Sequence, residues 1–193
     1  MLKVLLCMGF LSSTVLAQGF GGGGFGGGFG GTGFGGQSLD QNVIQSEDCM
    51  IVVARSRKVV TGFSNMTGEV DKVEFVEAPE QIIPIIGGEV VCFVNGNEAY
   101  GFSATTGKWG KVKIDGDGSD APILPTLGRN MACFSVGDFA YAFPSDHGKW
   151  LKTKIDGDGP HTPVVSGNSV QVWTDKAIYV CSAASQRWQI MER

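Results

Sequence analysis

From residue 40 onward, short apolar runs alternate with polar positions and are separated by glycine, proline or asparagine. The runs MIVVA (50–54), VVCFV (90–94), MACFS (131–135) and VQVWT (170–174) are each followed by a second, aromatic run. Valine, isoleucine and aromatic residues in short alternating runs bounded by turn residues are typical of β-strands. After residue 17, proline and glycine interrupt every window long enough for a helix. The pattern predicts an all-β domain over residues 40–193.

A ten-residue phrase occurs four times, at 61–70, 100–109, 141–150 and 179–188. The second copy is YGFSATTGKW and the third is YAFPSDHGKW. The upstream runs are expected to be in register with it, so that residues 50, 90, 131 and 170 are equivalent. Each unit predicts strand, turn, strand, turn, strand, preceded by a short apolar piece: NVIQ at 42, QIIP at 81, then APILP and HTPVV.

A sheet of about 40 residues with two apolar faces cannot cover both alone, but stacking copies around an axis covers them. The chain therefore predicts a small four-bladed β-propeller, or an open propeller-like arc that completes a ring by dimerising. Each buried aromatic side chain contributes on the order of 2–3 kcal/mol. The repeated aromatic residues expected to pack between blades are Phe63, Phe102, Phe143, Trp109, Trp150 and Trp188.

The repeat phrase resembles those of two propeller families. Tyr100–Lys108 resembles the Tyr-Ala-Leu-Asp-Ala-x-Thr-Gly-Lys phrase of quinoprotein repeats, and Phe102–Trp109 resembles the aromatic-x-x-x-Thr-x-x-Trp segment of kelch repeats. The quinoprotein tryptophan falls two residues further on, and the kelch di-glycine is missing. Val70 replaces tryptophan in the first unit, and the fourth lacks Thr-Gly. The resemblance covers most of residues 40–193 and implies blades. It implies no quinone or copper-radical cofactor, because no metal-binding residues match, and we expect no cofactor.

The N-terminal segment has the features of a signal peptide. Lys3 precedes an apolar run that ends at Val15 and Ala17, which predicts a signal peptide over residues 1–17. Residues 18–39 are rich in glycine and phenylalanine, and we expect a disordered tether. A second interpretation makes its phenylalanines weak aromatic contacts for self-association. No later stretch is apolar enough to cross a membrane, so we expect a secreted or periplasmic protein.

Charge limits the choice of partner. The chain carries 15 Lys and Arg against 19 Asp and Glu, a net charge of −4. A mildly acidic chain disfavours a nucleic-acid partner, which requires a basic face. Two segments, Lys108–Lys113 and Lys149–Lys154, nevertheless place lysines around a tryptophan. Such a stripe fits an anionic polymer, although lysines on an outer strand also prevent sheets from pairing edge to edge.

Four cysteines remain after the predicted signal peptide: Cys49, Cys92, Cys133 and Cys181. An exported protein can form disulfides, and four cysteines allow three pairings. A bond between Cys49 and Cys181 would join the first blade to the last. Cys92 and Cys133 occupy equivalent positions and are expected to pack as small apolar side chains.

Few residues suggest catalysis or metal binding. Lys-Ile-Asp-Gly-Asp-Gly at 113–118 and 154–159 is half of a calcium loop, but Asp-Gly pairs are also ordinary turns, which we favour. His147 and His161 are separate loop residues and form a poor metal site. The candidates for a site in a central channel are Glu89, Asn130 and Asn168.

These observations favour a non-catalytic module of the cell exterior that binds a partner or builds a structure. The partner is a protein or a glycan, and a homodimer is a candidate assembly. The first alternative is a lectin-like carbohydrate-binding protein with exposed tryptophans in repeated loops. The second is an enzyme with a site in the central channel.

Overall fold

The computed structural model describes residues 42–115, 123–158 and 161–193. They belong to a compact unit that spans Ser38–Arg193. The predicted signal peptide and the Gly/Phe-rich tether lie outside the described residues. Within these ranges every regular element is a β-strand. None of the described residues forms a helix that could cross a membrane.

Four antiparallel sheets of four strands follow one another along the chain, and we call them blades 1 to 4. Blade 1 contains β1 (Asn42–Gln45), β2 (Cys49–Val53), β3 (Val59–Ser64) and β4 (Val70–Glu74). Blade 2 contains β5 (Ile85–Ile86), β6 (Val90–Asn95), β7 (Glu98–Ser103) and β8 (Lys108–Lys113). Blade 3 contains β9 (Thr126–Leu127), β10 (Met131–Val136), β11 (Phe139–Pro144) and β12 (Leu151–Lys154). Blade 4 contains β13 (Val164–Ser166), β14 (Ser169–Trp173), β15 (Ala177–Ser182) and β16 (Gln189–Glu192).

The predicted all-β architecture of four units of about 40 residues is confirmed, and the sheets form an open arc. Each blade has a further strand ahead of the three that were predicted, near the short apolar piece, and in blades 2 and 3 it has only two residues. There β5 and β9 begin directly after Pro84 and Pro125 rather than over 81–84 and 121–125, and β13 likewise follows Pro163. Proline has no N–H to donate to a strand ladder, so pairing begins at the next residue.

The expected equivalence of residues 50, 90, 131 and 170 was wrong: relative to blades 2 and 3, blades 1 and 4 are shifted by one residue. Met50 pairs with Phe63, whereas Val91, not Val90, pairs with Phe102. The reason is the turn between the second and third strands. It spans five residues in blade 1, at 54–58, but only two in blade 2, at 96–97. A slip of one residue moves every side chain to the other face of the sheet, so the register decides which side chains face the next blade.

Burial separates the middle blades from the end blades. β7 and β11 are buried on both faces over most of their length, as expected for sheets covered on two sides. In β3 and β15 burial alternates residue by residue, so one face is buried and the other is half-exposed. The blades therefore stack face to face along the arc, and blades 1 and 4 each keep an uncovered outer face.

Phenylalanine rings fill the contacts between blades. A Cβ atom on Gly62 would lie 2.5 Å from the ring of Phe102, and one on Gly101 would lie 2.7 Å from the ring of Phe143. Because a side chain at either glycine would occupy the space of the ring, the missing Cβ lets blades 2 and 3 each insert a phenylalanine into the preceding blade. At the contact between blades 3 and 4 the equivalent residues are Ala142 and Cys181.

Hydrogen bonds repeat across these contacts. The Asp115 N–H donates to the Tyr141 hydroxyl over 2.8 Å, and the Asp156 N–H donates to the Tyr179 hydroxyl over 2.7 Å. Each bond joins the end of one blade to the third strand of the next. This explains why Lys-Ile-Asp occurs twice, because Ile114 and Ile155 are also buried.

Candidate binding sites

A groove of about 470 Å³ opens between blades 2 and 3. Blade 2 contributes β8 and the turn before it, and blade 3 contributes the turn between β11 and β12. We call it the blade 2–3 groove; its lining residues are Thr106, Lys108, Trp109, Gly110, Lys111, His147, Gly148, Lys149 and Trp150. The two lysine-flanked tryptophans of the sequence thus lie on opposite walls of one groove.

Two glycines let these walls approach each other. A Cβ on Gly110 would lie 2.6 Å from the Gly148 carbonyl oxygen, and a Cβ on Gly148 would lie 2.6 Å from Thr106 Oγ1. Gly148 also has a φ of 58°, which glycine adopts readily and other residues rarely do. The indole of Trp150 completes the contact by donating from Nε1 to the Gly110 carbonyl over 3.2 Å.

The charges that line the groove are all positive. Lys108 Nζ lies 3.3 Å from Glu69 of blade 1, and Lys111 Nζ lies 2.8 Å from Glu98. Lys149 is exposed and has no ion-pair partner in the part of the chain that the structure describes. The lysine hydrogen bond and the Tyr100 hydroxyl lower the pKa of the Glu98 carboxyl, so this partner stays ionised at neutral pH.

Three polar atoms of groove-lining residues are buried without a hydrogen bond among the described residues. They are Thr106 Oγ1 and Trp109 Nε1 of blade 2 and His147 Nε2 of blade 3. Most buried polar atoms in proteins have a partner, so each exception needs a reason. All three lie within the contact between the two blades rather than on its open surface.

A second polar cluster forms where the first turns of the blades meet. Arg129 Nη2 lies 3.0 Å from Asp48 Oδ2, and Arg129 Nε lies 3.2 Å from Glu89 Oε1. The Ser145 hydroxyl donates to Glu89 Oε2 over 2.9 Å. The hydrogen bond to Glu89 and the charge of Asp48 raise the pKa of the Arg129 guanidinium. Because the acidic groups are already paired, this cluster joins three blades rather than offering a free acid or base.

The channel candidates occupy equivalent positions at these turns. The carbonyls of Glu89, Asn130 and Asn168 accept a backbone N–H from Ala104, Ser145 and Ala183 respectively. Asn130 Oδ1 is buried without a partner, whereas Asn168 is exposed. The structure thus brings Glu89 into a shared ion-pair network. Asn130 meets that network only through its backbone bond with Ser145, and neither asparagine side chain joins it among the described residues.

The outer faces of blades 1 and 4 are the third candidate. On blade 1 the outer face carries Val43, Met50, Val52, Phe63 and Val70, of which Val70 is 59% exposed. On blade 4 the outer face carries Val164, Trp173, Ile178, Val180 and Met191, of which Trp173 is 49% exposed. We call these the end faces. Polar residues share these faces, among them Thr61 and Lys72 on blade 1 and Gln171 and Gln189 on blade 4. Exposed apolar side chains on a sheet face make it a candidate interaction site.

The aromatic residues singled out from the sequence lie in four environments. Phe102 and Phe143 are fully buried between blades, but Phe63 lies on the blade 1 end face. Trp188 Nε1 donates to the Leu151 carbonyl of blade 3 over 3.0 Å. Trp109 packs against Phe93 and Phe102, and its Nε1 has no partner among the described residues.

The structure contains Cys49, Cys92, Cys133 and Cys181 as free, buried thiols. Burial raises the pKa of the Cys133 thiol to about 12 and also raises that of Cys92. The predicted Cys49–Cys181 bond is not formed in the structure. Cys49 donates to the Gly88 carbonyl over 3.6 Å, and Cys181 lies 3.6 Å from Ser185 Oγ. The disulfide therefore stays a prediction, which mapping of free thiols in the purified protein would check.

The half-calcium motifs and the second histidine lie in turns. The Lys152 ammonium pairs with Asp115, and the Lys176 ammonium lies 3.0 Å from Asp156. Asp117 lies outside the described residues. His161 Nε2 lies 2.9 Å from the Gly157 carbonyl. Across the described ranges, no three His, Cys, Asp or Glu side chains gather as metal ligands.

Sequence reasoning missed Asp48, Arg129 and the placement of His147 and Thr106 in one groove. His147 and Thr106 are 41 positions apart, and only the stacking of blades brings them together. The repeat itself held a signal, because Thr106 and His147 occupy the same position of the phrase in neighbouring copies. Asp48 and Glu89 are also equivalent, since each accepts a backbone N–H at the same point of its blade. The different lengths of the turns between the second and third strands hid this equivalence in the sequence.

Comparisons with known proteins place the chain far from characterised relatives. No protein-family model matches it, and no curated protein matches it. Hsv2p of Kluyveromyces lactis is 15% identical, with a TM-score of 0.35 over 79% of this chain and 49% of that one. PorZ of Porphyromonas gingivalis, described as an essential bacterial surface component of the type-IX secretion system, is 12% identical, with a TM-score of 0.39 over 78% of this chain and 21% of that one. The chain thus spans about half the length of Hsv2p and about a fifth of PorZ. At such low identities and TM-scores these similarities assign no function to the chain.

Proposed function

We propose that this protein is an exported, non-catalytic module that assembles through its two end faces, with a second copy of the chain as the partner. The observation that carries the proposal is the alternation of burial in blades 1 and 4. In the second and third strands, the outer face carries apolar side chains that are half-exposed or exposed, beside a few polar ones, while the inner face of the same strands is buried. Export is supported by the charge and apolar pattern of residues 1–17.

A second copy is favoured because the end faces are the two halves of one kind of interface. Each blade has one face that carries Phe63 or its equivalent and one face that carries Gly62 or its equivalent. Inside the arc, the Phe63 face of a blade contacts the Gly62 face of the blade before it. The Phe63 face of blade 1 and the Gly62 face of blade 4 therefore stay uncovered. Two copies joined head to tail would form a ring of eight blades, within the usual range of four to eight for propellers.

Val180 gives this contact its own geometry. It occupies the position of Gly62, Gly101 and Ala142 in the other blades. A branched side chain there keeps Phe63 of the second copy further away than Phe102 is from Gly62. The ring would therefore close more loosely between copies than within one.

The test is sedimentation velocity over a range of protein concentrations. We expect the wild-type protein to form dimers, and Val70→Glu or Trp173→Glu to sediment as a monomer of unchanged fold. Val76→Glu is the matched control, because Val76 is 93% exposed and lies outside both end faces. A wild-type protein that stays monomeric at every concentration would refute the proposed assembly.

Carbohydrate binding is a second candidate function, favoured by the blade 2–3 groove. The groove combines the aromatic ring of Trp150 with the polar side chains of His147 and Thr106, a combination suited to a sugar ring. The kelch-like and quinoprotein-like phrase at residues 100–109 agrees with a binding propeller. A glycan array that gave no signal would remove this function but leave the assembly proposal standing.

A further inference from the structure

We propose that the blade 2–3 groove binds an acidic polysaccharide, holding its anionic groups between Lys108 and Lys149. The proposal names the ligand class for the carbohydrate-binding candidate above, and it does not depend on how copies assemble. Such binding requires cationic side chains, polar side chains and an aromatic surface in one concave site.

The cations come from equivalent positions of neighbouring blades. Lys108 and Lys149 precede Trp109 and Trp150 in the repeat phrase, and stacking places both in the wall of the groove. Lysine binds anions as a point charge without demanding a fixed geometry, which suits the variable spacing of groups along a polymer.

Acidic side chains pair with two of the three lysines and leave Lys149 without an ion pair among the described residues. Glu69 approaches Lys108 from blade 1, and Glu98 approaches Lys111 along its own sheet. Asp146 is exposed in the turn that holds His147, but it does not line the groove. The lining itself has three lysines and no acidic residue, so an anionic group in the groove would meet the unpaired Lys149 and would compete with Glu69 for Lys108.

The uncharged residues favour a sugar over an acidic peptide. Thr106 and His147 are half-buried polar side chains of the lining. Trp150 is half-buried, with its indole held in place by the bond to Gly110. A fixed indole beside hydrogen-bonding groups is suited to a sugar ring, which has both apolar and hydroxyl surfaces.

The blade 3–4 interface has a smaller version of this site. A cavity of about 220 Å³ there is lined by His147, Lys149, Leu151 and Gln186. Leu151 occupies the position of Gly110, so a bulky side chain stands where the larger groove has open backbone. Blade 4 therefore lacks the opening that a polymer needs, which restricts the proposed site to blades 2 and 3.

The experiment titrates the full protein with dextran sulfate, carboxymethyl dextran and unsubstituted dextran, and follows tryptophan fluorescence. We expect both anionic polymers to bind, unsubstituted dextran to bind at least tenfold more weakly, and affinity to fall as salt rises. Lys149→Glu should weaken binding more than tenfold. Lys154→Glu, which makes the same charge change on β12 outside the lining, should change it less than twofold. His147→Ala should weaken binding about two- to fivefold.

Each outcome decides the proposal. Binding of dextran sulfate alone narrows the ligand to sulfated chains and supports the site. Equal binding of unsubstituted dextran, equal losses for Lys149→Glu and Lys154→Glu, or no binding of any polymer would overturn it. A response to inorganic sulfate without a response to either anionic polymer would mean an adventitious ion only. The assembly proposal is tested with different variants, so either proposal can fail while the other holds.

Discussion

The interface between blades 1 and 2 and the interface between blades 2 and 3 use the same phrase but differ in charge. In both, a phenylalanine enters the space above a glycine of the preceding blade. In both, a serine of the preceding blade donates to a carbonyl of the next over 2.5 Å, from Ser64 to Ala104 and from Ser103 to Ser145. The apolar and backbone contacts are thus nearly the same.

The difference lies at two positions of the outer strand. The first interface has Glu69 and Asp71, where the second has Lys108 and Gly110. Glu69 pairs with Lys108, and Asp71 Oδ2 accepts the Trp109 N–H over 2.9 Å. At the second interface the corresponding position is bare backbone, and the Trp150 indole bonds to it directly. The repeat therefore keeps the stacking constant while two exchangeable residues decide whether an interface is closed by ion pairs or opens as a cationic groove.

Removing the shared aromatic ring should have the largest effect on stability. Phe102→Ala and Phe143→Ala should each lower the free energy of unfolding by about 3–5 kcal/mol, because each leaves a cavity in a buried contact. Chemical denaturation measures both. Phe63→Ala is the matched control and should cost clearly less in the monomer, since Phe63 lies on an end face. Equal losses at all three positions would contradict the difference between covered and uncovered faces.

Breaking the acidic side of the first interface should have a smaller effect. Asp71→Ala should lower the free energy of unfolding by about 1–3 kcal/mol, because the Trp109 N–H loses a charged acceptor. Asp146→Ala, at an exposed turn position, should change it by less than about 0.5 kcal/mol. Thermal and chemical unfolding measure both variants. Equal stability of Asp71→Ala and Asp146→Ala would show that Asp71 does not stabilise the first interface.

Removing the Glu69 partner of Lys108 should make the first interface resemble the second, which has a lysine at the position of Glu69. Both partners of the Glu69–Lys108 pair are 56% exposed, so Glu69→Ala should cost less than about 1 kcal/mol of stability. The same change should strengthen binding of dextran sulfate about two- to fivefold, since it removes a competing anion from Lys108. Weaker binding by this variant would show that Lys108 does not face the ligand.

The smallest expected effect is a dependence on acid. The pKa of Glu98 is lowered in the folded state, so its contribution to stability is complete above the carboxyl's ordinary pKa of about 4.3 and is lost as pH falls through the folded value. Below about pH 4.3 the wild-type protein should lose stability as the pH falls. Glu98→Gln should lose less over the same range, by under about 1 kcal/mol, because the pair with Lys111 is partly exposed. Denaturation at several pH values measures this, and an unchanged pH profile in the variant would contradict the role of the pair.

The repeat phrase was enough to predict the sheets, their number and their antiparallel order, because every copy carries alternating apolar residues between turn residues. Turn lengths were harder to predict. The five-residue turn at 54–58 and the two-residue turn at 96–97 shift Met50 relative to Val91, and apolar runs alone do not distinguish these registers. The prolines at 84 and 125 did carry a signal for where the first strands begin.

The candidate sites were less predictable because they form between blades. Lys108 and Lys149 were visible as lysines beside tryptophans, but the sequence could not show that they line one groove. Arg129 contacts Asp48 across 81 positions of the chain, a pairing that depends on how the first turns converge. The end faces follow from the open arc, and a closed ring with the same sequence pattern would have covered them.

Hydroxyl-radical footprinting over a range of protein concentrations tests the central claim most directly, namely that a second copy covers the end faces of the arc. Trp173, Met191 and Met50 should become protected as concentration rises, while exposed Met66 stays reactive and buried Met131 stays protected throughout. In Val70→Glu the three end-face residues should remain reactive at every concentration. Oxidation of Trp173 and Met50 that does not change with concentration in the wild-type protein would contradict the account.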